Sequence, residues 1–145
     1  MHRTITLSEY VKKRNGVALG SPGSMTNMLK RSLGARSFYV FWQYWNPIWG
    51  YYLSRKIMKP LCNVLPISLA IIITFSVSGA LHDLAISLVK WELTILFTPW
   101  FSLMGLVVLA TKKFGLSYGK YHWLVRALIN ISCIAVCLLI TRQYV

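Results

Sequence analysis

The sequence predicts an all-α, multi-span integral membrane protein, with about three transmembrane helices and an interfacial aromatic helix region. Three observations carry this expectation. Charged residues make up 13% of the 145 and hydrophobic residues 56%, against roughly a quarter charged in ordinary soluble domains. Residues 61–81 and 93–110 hold no charged side chain, and 123–140 hold only Arg126. Crossing the hydrocarbon layer takes about 20 mostly apolar residues in a helix. Lastly, the sixteen Lys and Arg collect at the flanks of the apolar runs, with only Glu9, Asp83 and Glu92 against them.

Residues 1–36 read as a basic cytoplasmic approach segment. Thr6 and Glu9 have the spacing of a capping box and open a short helix through Arg14. Gly16, Gly20, Pro22 and Gly23 mark a loop. Residues 25–33 form a short basic helix suited to anionic headgroups, and Gly34 ends it. Residues 37–145 are the membrane domain. Its first part, 38–60, is crowded with Trp, Tyr and Phe, side chains that collect where hydrocarbon meets headgroup. Pro47 and Gly50 are expected to break that stretch in two, and Pro60 to close it.

The spans are expected at about 62–89, 93–110 and 123–141. The first is too long for an untilted helix, so it either tilts strongly or breaks near Gly79. Pro99 either kinks the second, or follows a Thr98 cap where the helix restarts. Tyr118, Tyr121, His122 and Trp123 form a second aromatic belt before the third.

The net charge of +13 does not imply nucleic acid, because no motif with a groove-reading logic accompanies it. It reads as a topology signal. Ten basic residues, from Arg3 to Lys59, precede the first span. Lys90 alone follows it, Lys112, Lys113 and Lys120 precede the third, and Arg142 closes the chain. Cytoplasmic flanks carry the Lys and Arg excess, so the alternation puts the N-terminus in the cytoplasm. The first twenty residues lack the apolar stretch of a cleavable signal. Cys133 and Cys137 share a helix face but match no metal motif, and read as packing residues, like Asn130 between helices. Arg126 reads as a snorkelling base.

His82 and Asp83 stand out, because ionisable residues inside an apolar segment point to function unless they mark its end. Thr74, Ser78 and His82 recur every four residues, so they line one helical stripe. Asp83 diverges from His82 by about 100° on a regular helix. It is expected to pair with Lys90 or another base. Asn46, between Trp45 and Pro47, either bonds a substrate or caps the turn. A small transporter component with His82 and Asp83 in a proton path is an alternative, although no repeat symmetry supports it.

Ser37-Phe38, Phe41-Trp42, Trp45-Asn46, Tyr52-Leu53 and Pro60-Leu61 resemble the interfacial motif of membrane-bound O-acyltransferases. Ser78-Gly79-Ala80-Leu81-His82 resembles that family's second signature, a His within an apolar helix. The resemblance covers residues 37–89 and, more loosely, the two following spans. It implies that His82 and Asn46 are catalytic and that Trp42, Trp45 and Ser78 line the substrate site. It implies transfer of an acyl group from a thioester to a hydroxyl. Acyl-CoA or an acyl carrier is then a substrate, and no cofactor or metal is needed. Family enzymes are much longer, and this chain matches only their C-terminal part. That implies membrane lipids together with a partner membrane chain or homo-oligomer, or else a non-catalytic subunit or degenerate homologue. Asp83 has no counterpart in the family pattern.

Overall fold

A computed structural model describes residues 4–145; Arg3, counted above among the basic residues, lies outside them. Among the described residues the regular structure is all helix, with no strand. The amphipathic start comprises α1, Leu7–Asn15, and α2, Ser24–Leu33. The Thr6–Glu9 capping box forms in both directions. Gly16 ends α1 in the left-handed region at φ 81°, a conformation that costs glycine little.

The aromatic stretch folds as α3, Phe38–Tyr44, and α4, Pro47–Leu53. The expected break at Pro47 is present, but Gly50 lies inside α4 and breaks nothing. The chain turns at Asn46, whose φ of 42° is left-handed, and whose Oδ1 accepts the Trp49 N–H at 3.3 Å. Pro60 does not close the segment either. A π-helical turn, Ser54–Met58, continues α4 into the short α5, Lys59–Cys62. A proline inside a helix cannot donate and crowds the carbonyl four residues back. The wider turn just before Pro60 relieves that clash without ending the helix.

Three longer helices follow: α6, Ile67–Lys90; α7, Phe97–Lys113; and α8, Trp123–Tyr144. The first and last are long and apolar enough to cross a membrane, by length and composition. α7 has 17 residues. α6 runs unbroken through Gly79, contrary to the option of a break there, because tight packing removes any need for one. A Cβ on Gly79 would meet the Phe97 carbonyl oxygen at 2.4 Å, so α6 and α7 touch backbone to backbone. One turn away the Ser76 and Ser102 hydroxyls bond at 2.6 Å. These pairs place α6 and α7 antiparallel. Pro99 does not kink α7, since it occupies the first turn, where the helix needs no N–H from it.

The buried centre comprises Phe38 and Phe41 of α3, Ile71 of α6, Met104 and Val108 of α7 and Cys137 of α8. Short α3 is therefore a core element. Trp42 sets its ring edge-on to Phe75, at 5.3 Å between centroids, which draws the aromatic segment toward the middle of α6. At 1.5 Å per residue, Ser78 lies about 17 Å along α6 from Ile67, and α4 reaches it there.

Candidate active site

The α3–α4 turn and the middle of α6 enclose a cavity of about 190 Å³ whose walls include Trp42, Trp45, Asn46, Trp49, Ser78 and His82. All five residues expected at the site from the sequence thus share one cavity. Thr74, the third member of the α6 stripe, and Phe101 of α7 also line it. Trp49 was not singled out in advance, although its place in the aromatic cluster was evident. Its indole N–H donates to Ser78 Oγ at 3.0 Å, and this bond ties α4 to α6.

The His82 ring is oriented by its own helix. Nδ1 lies 2.6 Å from the Ser78 carbonyl oxygen. A carbonyl only accepts, so Nδ1 carries a proton, and in the neutral tautomer that this bond selects the lone pair is on Nε2. Aromatic rings hold the imidazole on three sides. Phe101 lies 5.0 Å away, Phe97 stacks at 5.5 Å and Trp49 meets it edge-on at 6.1 Å between centroids. The same ring also borders a second, more apolar cavity of about 430 Å³, with Leu29, Leu33, Ile131 and Ile134 in its walls. His82, Trp42, Trp45 and Phe101 are common to both cavities.

Of the two roles expected for Asn46, the structure shows the cap. Its Oδ1 caps α4 while its side chain lines the cavity. Capping uses the acceptor alone, and the Nδ2 amine makes no hydrogen bond among the described residues. Trp45 stacks on Phe41 at 5.6 Å and is partly exposed.

Asp83 departs from expectation. Among the described residues it forms no ion pair with Lys90 or any other base. Its Oδ1 accepts the Leu96 and Phe97 N–H groups at 2.9 and 2.8 Å, and its Oδ2 the Thr98 N–H at 2.8 Å and hydroxyl at 2.6 Å. The start of α7 has three N–H groups with no helical partner, Pro99 having none to offer. One carboxylate satisfies all three, and the positive end of the helix dipole stabilises its charge. The expected Thr98 cap is therefore replaced by a cap from another helix.

At the far end of the bundle, α8 holds the N-terminal helices by their carbonyl groups. Trp123 Nε1 donates to Lys30 O at 2.9 Å and Arg126 to Gly34 O at 2.7 Å. Asn130 Nδ2 donates to Leu33 O and Ala35 O at 2.8 and 3.1 Å. Tyr118 donates to Asn130 Oδ1. Burial, and secondarily the nearby Cys133, push the Tyr118 phenol well above its usual range, so it remains a neutral donor. Arg126 thus caps a helix end, in place of the expected snorkelling role. Cys133 and Cys137 are free thiols packed in the bundle, and no cluster of metal-binding side chains occurs among the described residues.

Comparison with protein-family models, with curated proteins and with solved structures returns no match.

Proposed function

We propose that the chain is a multi-pass membrane O-acyltransferase component, in which His82 is the general base for acyl transfer from a thioester to a hydroxyl. The observation that carries this reading is the fixed His82 tautomer, with a basic Nε2 in an aromatic wall shared by two cavities. In the proposed step, Nε2 takes the proton of the acceptor hydroxyl as its oxygen attacks the thioester carbonyl carbon. The tetrahedral intermediate collapses, the C–S bond breaks, and the leaving thiolate takes the proton back from the imidazolium. The uncommitted Asn46 Nδ2 is the donor for the developing oxyanion. The more apolar cavity suits the acyl chain, and the smaller one, with Ser78 and Thr74, the hydroxyl acceptor.

The proposal includes three crossings and a cytoplasmic N-terminus. At 1.5 Å per residue α7 is about 26 Å long, near the lower limit for a spanning helix. The basic residues before α6 and between α7 and α8 fall on the same end of the antiparallel bundle, as the Lys and Arg bias requires. The outer faces of α6 and α8 expose Leu84, Leu88, Leu128 and Leu139, which fits lipid or a partner membrane chain. That apolar surface also favours a second reading, a non-catalytic subunit docked on a larger enzyme.

The test is transfer of a labelled acyl group from a thioester in membranes containing the chain and any copurifying partner. Loss of a general base lowers turnover by about 10² to 10⁴, so His82→Ala is expected to fall in that range with assembly unchanged. Asn46→Asp keeps the cap acceptor but removes the donor, and is expected to slow turnover by about 10². Undiminished transfer by His82→Ala would leave the subunit reading in its place.

A further inference from the structure

On the opposite side of α3 from the His82 cavity, the C-terminal half of α2, the α2–α3 loop, one face of α3 and the first turn of α8 border a cleft of about 630 Å³. Lys30, Arg31, Arg36 and Arg126 all line it, with Gln43 and Tyr44 as neutral polar neighbours. No carboxylate offsets them. The three acids of the chain are Glu9 in α1, Asp83 in α6 and Glu92 in the α6–α7 loop, and none lines the cleft.

The cations are held in position by contacts that leave their charge uncancelled. Arg31 donates to Arg14 O at 3.1 Å and lies over the Tyr44 ring at 6.0 Å. Arg126 donates to Gly34 O, and its buried Nε has no partner. The Lys30 ammonium and Arg36 guanidinium make no hydrogen bond among the described residues, and both residues are exposed. The backbone beneath them is fixed, because Trp123 and Asn130 of α8 bind the carbonyls of residues 30, 33 and 35. Four like charges gathered in one recess repel one another. An anion in the recess removes that cost, and guanidinium forks match the oxygens of phosphate.

We propose that this cleft binds a phosphate or diphosphate group, with Lys30 and Arg36 as the charge donors and Arg31 and Arg126 as fixed walls. The group is carried either by a membrane lipid headgroup or by a soluble phosphate compound. The proposal stands apart from His82 chemistry, and its readout is binding, so it survives or fails independently of acyl transfer.

The experiment has two arms, both at physiological salt with the full chain. In the first, protein in phosphatidylcholine nanodiscs is titrated with inorganic pyrophosphate by calorimetry. In the second, protein in nanodiscs of phosphatidylcholine with phosphatidylglycerol is extracted, and the retained anionic lipid is quantified by mass spectrometry. Binding in the first arm identifies a soluble ligand, and enrichment in the second a headgroup. The double variant Lys30→Gln/Arg36→Gln is expected to weaken that binding by at least about tenfold, since it removes two charge-assisted donors to the phosphate oxygens. The variant Lys12→Gln/Lys13→Gln removes the same charge from exposed positions of α1 and is expected to change binding less than about twofold. All four side chains are exposed, and unchanged thermal melting verifies folding. No binding in either arm, or equal loss in the two double variants, overturns the proposal.

Discussion

The two seams of the antiparallel bundle are built on different principles. Between α6 and α7 the contact is close and polar, with Gly79 against the Phe97–Thr98 backbone, Ser76 bonded to Ser102, and Asp83 closing the start of α7. Ser87 adds bonds to Thr94 in the connecting loop. Among the described residues a single side-chain bond crosses between α7 and α8, from Trp100 Nε1 to Ile134 O at 3.2 Å. Beside it lies an apolar groove of about 470 Å³ walled by Leu103, Val107, Leu128 and Val136. Apolar side chains set a distance loosely, whereas backbone contact and directional bonds set distance and register together. The tight seam is the one whose two sides supply His82 and the Phe97 and Phe101 rings around it. α8 is fixed mainly at its N-terminal end, where it holds the end of α2 and the loop that follows it.

Substitution across the two seams measures that difference. Asp83→Ala is expected to have the largest effect. It leaves three N–H groups at the start of α7 without partners, each costing about 1–3 kcal/mol when buried. A loss of at least about 3 kcal/mol in a denaturant titration of the detergent-solubilised chain is the expected result. A loss below about 1 kcal/mol would mean that water or another acceptor replaces the cap, and the seam is not polar in substance. Gly79→Ala comes next, at about 2 kcal/mol, because the added carbon collides with backbone that has no rotamer to change. It is also expected to move Phe97 away from His82, visible as a changed imidazole chemical shift. Leu128→Ala, on the groove of the loose seam, is expected to cost less than about 1 kcal/mol. If it costs as much as Gly79→Ala, the groove is filled by another chain, and the comparison fails at that seam.

Much of the architecture was legible because apolar length and helix caps are written locally. The Thr6–Glu9 box, the Gly34 stop and the apolar runs need only neighbours in sequence. The Thr74–Ser78–His82 stripe was legible for the same reason, as helical spacing alone brings its members together. The role of Asp83 was not, because its partners are backbone N–H groups, which leave no side-chain signature. A signal existed nonetheless. A helix opening at Phe97-Thr98-Pro99 has Leu96 at its N-cap and Thr98 already inside the first turn, and a lone acid one helix earlier has no base at helical spacing nearer than Lys90. Gly50 and Pro60 misled because isolated breaker residues are read as ends, and a π-helical turn absorbed one of them. The Trp123, Arg126 and Asn130 spacing was visible, but nothing local showed that it meets the carbonyl end of α2, about a hundred residues earlier.

His82 and Asp83 are consecutive, so one backbone register serves two tasks facing about 100° apart. The angle that sends the acid to the start of α7 is the angle that sends the imidazole into the cavity. A single residue inserted between Ser78 and His82 would rotate everything upstream against everything downstream by about 100°, and would bring Thr74 and Ser78 out of line with His82. The chain could keep its Asp83 cap only by twisting the N-terminal half of α6 away from α4, or keep the Trp49–Ser78 bond only by unseating α7. Insertions and deletions in the middle of α6 are therefore far more disruptive than their size implies.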